Sequence, residues 1–337
     1  MPKAMNKSVL ESLAGGNFGR SVVRKALLFK GNEQKQLFTL ARKRRMQFFP
    51  SRRAEIRSVI EISNICRIKC NFCNINFYAN IPRSYILKEA DIIKIIEYVY
   101  YKKGRRVVLF QSGENNSRAY IDFVAKCVRN IKAKFNDLRL MLCLGNLSFG
   151  QYKQLRNAGA DRYILKFETS NPALYRKIKP GDSLKKRIRC LEQLISIGFE
   201  AGSGNIVGLP GQSLDDIAGD LLFMRSFKLR MASCSVFFPG EGSNYRDEGT
   251  GDIDIALNFM ALTRIMYPHV LIPSTSSLER VKKGAQYLGL MAGANAVTVH
   301  DGTPLKLKKN FPIYSVRRFT PGERFIKEIV KKARLRF

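Results

Sequence analysis

The 337-residue sequence has no tryptophan, only two histidines (His269 and His300) and no Gly-Lys dipeptide. Without that dipeptide there is no phosphate-binding loop of the GxxxxGK type. Two histidines far from the other candidate groups leave little room for a histidine-based hydrolase site. Nowhere do apolar residues run for the ~20 positions a membrane helix requires, so no membrane span is expected. Acidic residues are scarce: 27 Asp and Glu face 59 Lys and Arg, a net charge of +32. The seven cysteines are odd in number and unevenly spaced, unlike a secreted disulfide framework, and suggest a reducing cytoplasm. Gly202-Ser-Gly204 starts like a dinucleotide fingerprint, but Val207 stands where the third glycine belongs. What is present is the balance of an ordinary globular chain, 45% apolar and 26% charged, long enough for one large α/β domain or two small ones.

The basic excess gathers at the ends. Residues 1–60 hold fourteen Lys/Arg against three acids, and residues 305–337 hold eleven against two. The densest cluster is Ala41-Arg-Lys-Arg-Arg45. It reads either as a solvated helix face or as a docking surface for something acidic, nucleic acid or a carrier protein. The first thirty residues are basic, as transit peptides are, but contain no apolar signal core; a terminal helix of the folded domain is expected there.

After a helical lead-in at Glu33–Gln47, short β-branched runs recur at Arg57–Ile62, Arg106–Phe110, Leu138–Leu144, Tyr163–Phe167, Phe199–Val207, Ala232–Phe238, Val270–Pro273 and Asn295–Val299. Stretches of helical period lie between several of them, as at Glu89–Tyr101, Ser117–Ala133, Leu184–Ile197, Leu214–Phe227 and Ile255–Met266. Eight strands alternating with helices predict an α/β fold, a (β/α)8 barrel of TIM type over residues 56–305. A basic helical region, 1–55, precedes it and a basic extension, 306–337, follows. In such a barrel the strand C-terminal ends and the loops after them build the active site.

The first of those loops carries the sharpest chemistry. Ile65-Cys-Arg-Ile-Lys-Cys-Asn-Phe-Cys73 spaces Cys66, Cys70 and Cys73 as C-x3-C-x2-C. Thiolates this close suit a soft metal or an iron–sulfur cluster. A structural zinc site wants four protein ligands, and no fourth Cys or His is near. Three thiolates can hold three irons of a [4Fe-4S] cluster and leave the fourth open. The competing readings are three buried structural cysteines, against which the polar Arg67, Lys69 and Asn71 speak, and a zinc site completed by another chain.

With aromatic Phe72 before the last cysteine, this spacing resembles the signature of the radical S-adenosylmethionine (SAM) superfamily. Gln111-Ser-Gly-Glu114 resembles its glycine-rich motif after the second strand. Gly159-Ala-Asp-Arg-Tyr-Ile-Leu-Lys-Phe-Glu-Thr-Ser-Asn-Pro172, Gly204-Asn-Ile-Val-Gly-Leu-Pro-Gly-Gln212, Leu262-Thr-Arg-Ile265 and Ala292-Gly-Ala-Asn295 resemble one subgroup. It contains the [FeFe]-hydrogenase cofactor maturase, methylornithine synthase and biotin synthase, and the likeness spans about residues 35–305. The resemblance implies a [4Fe-4S] cluster on Cys66, Cys70 and Cys73, with SAM on its open iron. It places Ser112, Gly113 and Glu114 at the methionine amino group, Glu168 and Arg187 at other polar parts of SAM, and Ile206 and Val207 along the adenosine. A carboxylate near a sulfonium and an arginine on a carboxylate are sensible partners. A plain surface ion pair between Glu168 and Arg187 is the alternative.

The substrate region is expected at Gln111, Met141, Cys143, Ser235, Thr275, Ser276, His300 and Asp301. Biotin synthase carries a second, sulfur-donating cluster, but Gln111, Ala201 and Met141 stand near the matching positions here, so an auxiliary cluster is not evident. No cysteine follows Cys234. Strand alternation lets Cys143 point inward and allows only one of Cys234 and Ser235 to do so; Cys127 and Cys190 fall on helices and are expected in the core. His300 and Asp301 read as an acid/base pair or as a capped turn.

The resemblance implies reductive cleavage of SAM to a 5′-deoxyadenosyl radical that functionalises an unactivated C–H bond. Sulfur insertion of the lipoyl-synthase or biotin-synthase type on an acidic, carrier-bound substrate is the expected reaction, because the basic ends suit such a carrier. A free small molecule, as in methylornithine synthesis or hydrogenase maturation, is the alternative; an RNA-binding iron–sulfur protein without turnover is a reading from another class. Expected partners are a ferredoxin- or flavodoxin-type electron donor, a lipoyl carrier protein and a second radical SAM subunit.

Overall fold

Alternate residues of the first strand, β1 (Glu55–Ser63), serve two different interiors. Ile56, Ile60 and Ile62 pack outward against helices, whereas Val59 packs within the barrel and Arg57 lines its cavity. The computed structural model describes residues 2–78, 84–308, 310 and 319–337. Ahead of β1 come three helices, α1 (Pro2–Ala14), α2 (Arg20–Leu27) and α3 (Gly31–Phe48). Next come α4 (Glu89–Glu97), β2 (Val107–Ser112), α5 (Arg118–Lys134), β3 (Arg139–Cys143), α6 (Phe149–Asn157) and β4 (Arg162–Ile164). The chain continues through α7 (Pro172–Ile178), α8 (Leu184–Ser196), β5 (Glu200–Val207), α9 (Leu214–Phe223), β6 (Met231–Val236) and α10 (Ile253–Met266). It finishes with β7 (Pro273–Ser274), α11 (Ser276–Val281), α12 (Ala285–Met291), β8 (Ala296–Val299), α13 (Leu305–Lys308) and α14 (Glu323–Lys332). No helix among the described residues is long and apolar enough to cross a membrane.

The eight strands form one parallel sheet in the order β6-β5-β4-β3-β2-β1-β8-β7. Its edges approach at the base, where Ala232 N–H donates to Leu271 C=O at 3.0 Å, so the fold is a nearly closed α/β barrel. Six strands are shorter than the sequence predicts, and β4 and β7 are the shortest of all. The ladder of β4 stops at Ile164, and the backbone turns at Glu168 with a φ of +66°. In β7 the ladder begins only at Pro273, because Ile272 N–H is taken by the Asn295 side chain at 2.9 Å.

Helix-facing residues make the main core, and Val59, Val107, Leu109, Met141 and Met231 make an apolar floor inside the barrel. Below the floor lies an ion network. Arg57 meets Glu55 at 2.6 Å, and Arg162 bridges Glu55 at 2.8 Å and Glu200 at 2.7 Å. Burial pushes the Glu55 carboxyl up, but Arg57 and Arg162 outweigh it and hold the group below its usual range.

The basic cluster at Ala41–Arg45 is not a uniformly solvated face, nor is all of it open to a partner. Arg45 is 3% exposed and donates through Nη1 to Leu290 C=O at 2.6 Å and Ala294 C=O at 2.7 Å. Leu290 C=O lies in the last turn of α12 and Ala294 C=O just beyond it, at the negative pole of the helix, where a guanidinium is stabilised without any carboxylate. Burial first, and then neighbouring Arg42, lower its pKa to about 10. The described part of the C-terminal region folds back in the same place. Ile326, Ile329 and Val330 of α14 are buried, and Ala54 N–H donates to Arg336 C=O at 2.8 Å beside the start of β1. Within the predicted extension 306–337, residues 309 and 311–318 lie outside the described residues.

Candidate active site

At the C-terminal mouth of the barrel a cavity of about 260 Å3 is lined by Cys66, Cys70 and Cys73 together with loops of the neighbouring strands. The cysteine loop is held by its backbone. Arg67 N–H donates to Glu114 C=O at 3.0 Å, Asn71 N–H to Ile178 C=O at 2.9 Å, and Phe77 N–H to Ile68 C=O at 2.9 Å. Asn71 Nδ2 adds a bond to Lys177 C=O at 2.7 Å. Phe72 packs on the apolar cluster of Leu174, Ile178, Ile206, Leu209, Phe237 and Tyr245, which clamps the loop to the far wall.

The thiols sit in an environment that disfavours free charge. Burial, opposed in part by Lys179, pushes Cys70 up to about 12, and burial raises Cys66 and Cys73 as well. Glu114 N–H donates to Cys66 Sγ at 3.4 Å, the kind of contact that stabilises a metal-bound thiolate. Among the described residues no three ligand-type side chains converge on a single point. A four-iron cube takes its thiolates at separate corners, so three thiols spaced around one cavity fit a cluster better than a single zinc ion.

Beside the cysteines lies a set of buried charges. Arg187 Nη1 is 2.8 Å from Asn146 Oδ1 and 3.3 Å from Glu114 Oε2. Burial would lower the Arg187 pKa, but Glu114 leads a set of groups that overcome it and keep the guanidinium charged. Lys179 Nζ is 3.1 Å from Asp182 Oδ2, and both side chains are almost wholly buried. Glu168 lies 2.9 Å from Lys166 Nζ. Glu168 and Arg187 are therefore not the surface ion pair that the sequence left open: each is buried and has its own partner.

Two glycines make room here. A Cβ on Gly113 would sit 2.3 Å from Ile65 C=O and 2.7 Å from Cys66 Cβ. One on Gly145, whose φ is +81°, would fall 2.1 Å from Glu114 Oε2. Gly113→Ala is accordingly expected to push the cysteine loop out of place while leaving the barrel intact. Iron incorporation should fall several-fold with far-UV circular dichroism unchanged; normal iron content would show that the loop yields without cost.

Of the predicted residues, Phe72, Gln111, Ser112, Gly113, Glu114, Cys143, Glu168, Arg187, Ile206, Ser235, Thr275, Ser276 and His300 all line this cavity. Three do not, and strand alternation explains the first of them. Val207 follows inward-facing Ile206 and points into the helix-side core. Met141 does face inward but lies a layer below Cys143, in the apolar floor. Asp301 follows His300 and turns away, meeting Lys103 at 2.9 Å and Arg105 at 3.5 Å, so the two are not a pair. The partner of His300 is Glu61, whose Oε1 lies 2.9 Å from Nδ1. Cys234 is buried against Ala256 C=O, and Cys127 and Cys190 lie in the core as expected.

Arg57, Glu61, Lys166, Lys179 and Thr298 also belong to the site or its wall but were not anticipated. Arg57 and Glu61 had a visible signal, being charged residues at inward positions of an otherwise apolar strand. Lys179 had none, because it falls between two helices and only the fold brings it to the cysteines.

A model of the radical SAM superfamily matches residues 60–224. The [FeFe] hydrogenase maturase subunit HydE of Thermotoga maritima is 32% identical over 310 residues, covering 91% of this chain and 87% of that protein. The biotin synthase of a Picosynechococcus species is 28% identical over 254 residues, 73% of this chain and 68% of its own length. Among solved structures, a methylornithine synthase (PylB) superposes with a TM-score of 0.80 at 22% identity, over 97% of this chain and 95% of that one. The FeFe-hydrogenase maturase HydG from Carboxydothermus hydrogenoformans gives 0.80 at 18% identity, over 98% and 78%. At those identities the structures establish a shared fold.

Proposed function

The chain belongs to the radical SAM superfamily and is an enzyme with a [4Fe-4S] cluster and SAM as cofactors, and from that premise we propose that it acts on a small polar molecule inside the barrel, as a maturase or mutase does. Sulfur insertion into a carrier-bound chain, the first expectation from sequence, is the weaker reading. The observation that carries the proposal is the wall beyond the cysteines: Gln111, Ser235, Thr275, Ser276, Thr298 and His300 all face the cavity. An alkyl chain laid against this polar wall would strip water from it and give no hydrogen bond in return, whereas a polar substrate would bond to it. Among the described residues one further thiol, Cys143, lines the cavity beside the cluster trio, and one thiol is no ligand set for a sulfur-donating second cluster. The similarity to HydE, higher in identity and coverage than that to biotin synthase, supports the same side.

In this reading Cys66, Cys70 and Cys73 hold the cluster, and the Ser112–Glu114 backbone receives the methionine amino group. Arg187 and Glu168 bind other polar parts of SAM, and Ile206 alone, without Val207, packs along the adenosine. When bound, the cluster and SAM supply a one-electron cleavage of a C–S bond, the source of radical chemistry. The protein holds the reacting groups in place and, through its apolar floor, keeps water from beneath them. Glu61 fixes the ring of His300 at the substrate end.

Like other radical SAM enzymes it needs an electron donor, here proposed as a ferredoxin or flavodoxin type. Partner proteins that pass on a metallocofactor precursor would replace the carrier and second subunit first expected. The test is anaerobic: the reconstituted protein is given SAM and a strong reductant, and 5′-deoxyadenosine is measured. Product should rise with the small-molecule fraction of an anaerobic extract and stay level with an octanoylated lipoyl carrier domain. Stimulation by the carrier alone would restore sulfur insertion. A complete cluster without any product would favour an RNA-binding role.

A further inference from the structure

At the base of the barrel, remote from the mouth, a second cleft of about 490 Å3 opens between α3, α12 and the turn after α14. Its walls carry Arg42, Arg45, Arg52, Lys332 and Arg334, and two aromatic rings, Phe49 and Tyr287. No Asp or Glu lines it among the described residues. Glu328, which does not line the cleft, meets Lys332 at 2.7 Å, and both side chains are exposed. Lys332 thus has a carboxylate partner, while the four arginines meet none among the described residues.

The arginines are held there at a cost. Arg45 is 3% exposed, and its Nε has no hydrogen-bond partner. Arg42 is anchored by Met291 C=O at 3.1 Å and Thr39 Oγ1 at 2.9 Å; burial and the charge of Arg334 lower its pKa. Arg334 ends α14 in a Schellman turn, with its own N–H on Lys331 C=O at 2.9 Å and Leu335 N–H on Val330 C=O at 3.1 Å. Its φ is +55°, a position where glycine is usual and a bulky side chain is strained. Arg52, on the other wall, has the same φ of +55°. The two walls are tied by Arg336 N–H to Arg52 C=O at 2.7 Å. Four arginines gathered around one cavity, one of them buried with an unbonded Nε, make a setting that suits an anion.

We propose that this cleft binds a phosphorylated small molecule with a flat ring, of the nucleoside diphosphate class. Guanidinium forks match phosphate oxygens, and several of them suit more than one phosphate. The volume is that of a site for a single small ligand. Tyr287 offers a ring to stack on, while Phe49 already carries the Arg264 guanidinium at 5.0 Å.

The test uses the reconstituted protein saturated with SAM, so that the adenosine site at the mouth is filled. ADP and inorganic pyrophosphate are titrated calorimetrically into the wild type and into Arg334→Gly, which removes a charge but relieves the backbone. ADP is expected to bind, about tenfold more weakly to the variant, whose melting temperature should not fall; Arg42→Gln should weaken binding likewise. Equal ADP affinity in wild type and R334G, or no heat from ADP, would overturn the proposal. So would binding confined to a transfer RNA and lost in R334G, which would make the cleft part of an RNA surface.

Discussion

Replacing Cys70 with alanine is expected to reduce 5′-deoxyadenosine formation to the cluster-free background, with the protein still folded. Loss of a partner outside the ligand sphere commonly costs 10–100-fold in metal affinity or activity, and loss of a ligand itself should exceed about 100-fold. The fold should survive because the loop is shaped by backbone bonds from Arg67, Asn71 and Phe77, none of which uses the sulfur. Removing one sulfur costs on the order of 1 kcal/mol, a small part of a domain's stability. Iron content, product by mass spectrometry and the far-UV spectrum check the three parts together. Retained iron and turnover in C70A, and equally in the Cys66→Ala or Cys73→Ala variants, would remove the cluster from this loop.

The second large effect is expected at Arg187. Its guanidinium is buried between Glu114 and Asn146, and the pair is screened little by water. Arg187→Met would leave Glu114 buried without its countercharge, a change that typically costs about 3–5 kcal/mol. SAM affinity should fall at the same time, by roughly 100-fold if a charge-assisted contact to its carboxylate is lost. The two losses separate in the double variant Glu114→Gln/Arg187→Met. Most of the stability should return, because no buried charge is stranded, while SAM binding stays weak. If binding returned along with stability, Arg187 would be structural support for Glu114 and not a SAM ligand. Arg187→Lys tests geometry: an ammonium retains the charge but lacks the fork that reaches both partners.

Features that depend on local spacing were readable in the chain. The C-x3-C-x2-C loop, the eight alternating strands and the inward position of Cys143 all follow from periods of two, three or four residues. Neighbours part where one residue's shift reverses a strand's face, as with Val207 beside Ile206 on β5, or where the chain leaves its strand, as with Asp301 beside His300 after β8. Met141 failed differently: it faces the right way at the wrong height, and depth along a barrel is set by the stagger between strands. Arg45 looks solvated in sequence because nothing local shows that the end of α12 will arrive over it. Lys166 and Lys179 have local partners in Glu168 and Asp182, but only the fold brings the two lysines to the cavity of the cysteines.

The order in which the barrel can be assembled follows from where its bonds lie. Every backbone bond named for the cysteine loop reaches no further along the chain than Ile178. Closure of β1 waits for β8, and the seam beside it waits for Arg336. At 5–20 residues per second, a ribosome needs on the order of ten seconds to make the intervening length. For that interval the sheet of the nascent chain stays open at one edge, and the clamp on Phe72 is complete only once Phe237 and Tyr245 have been made.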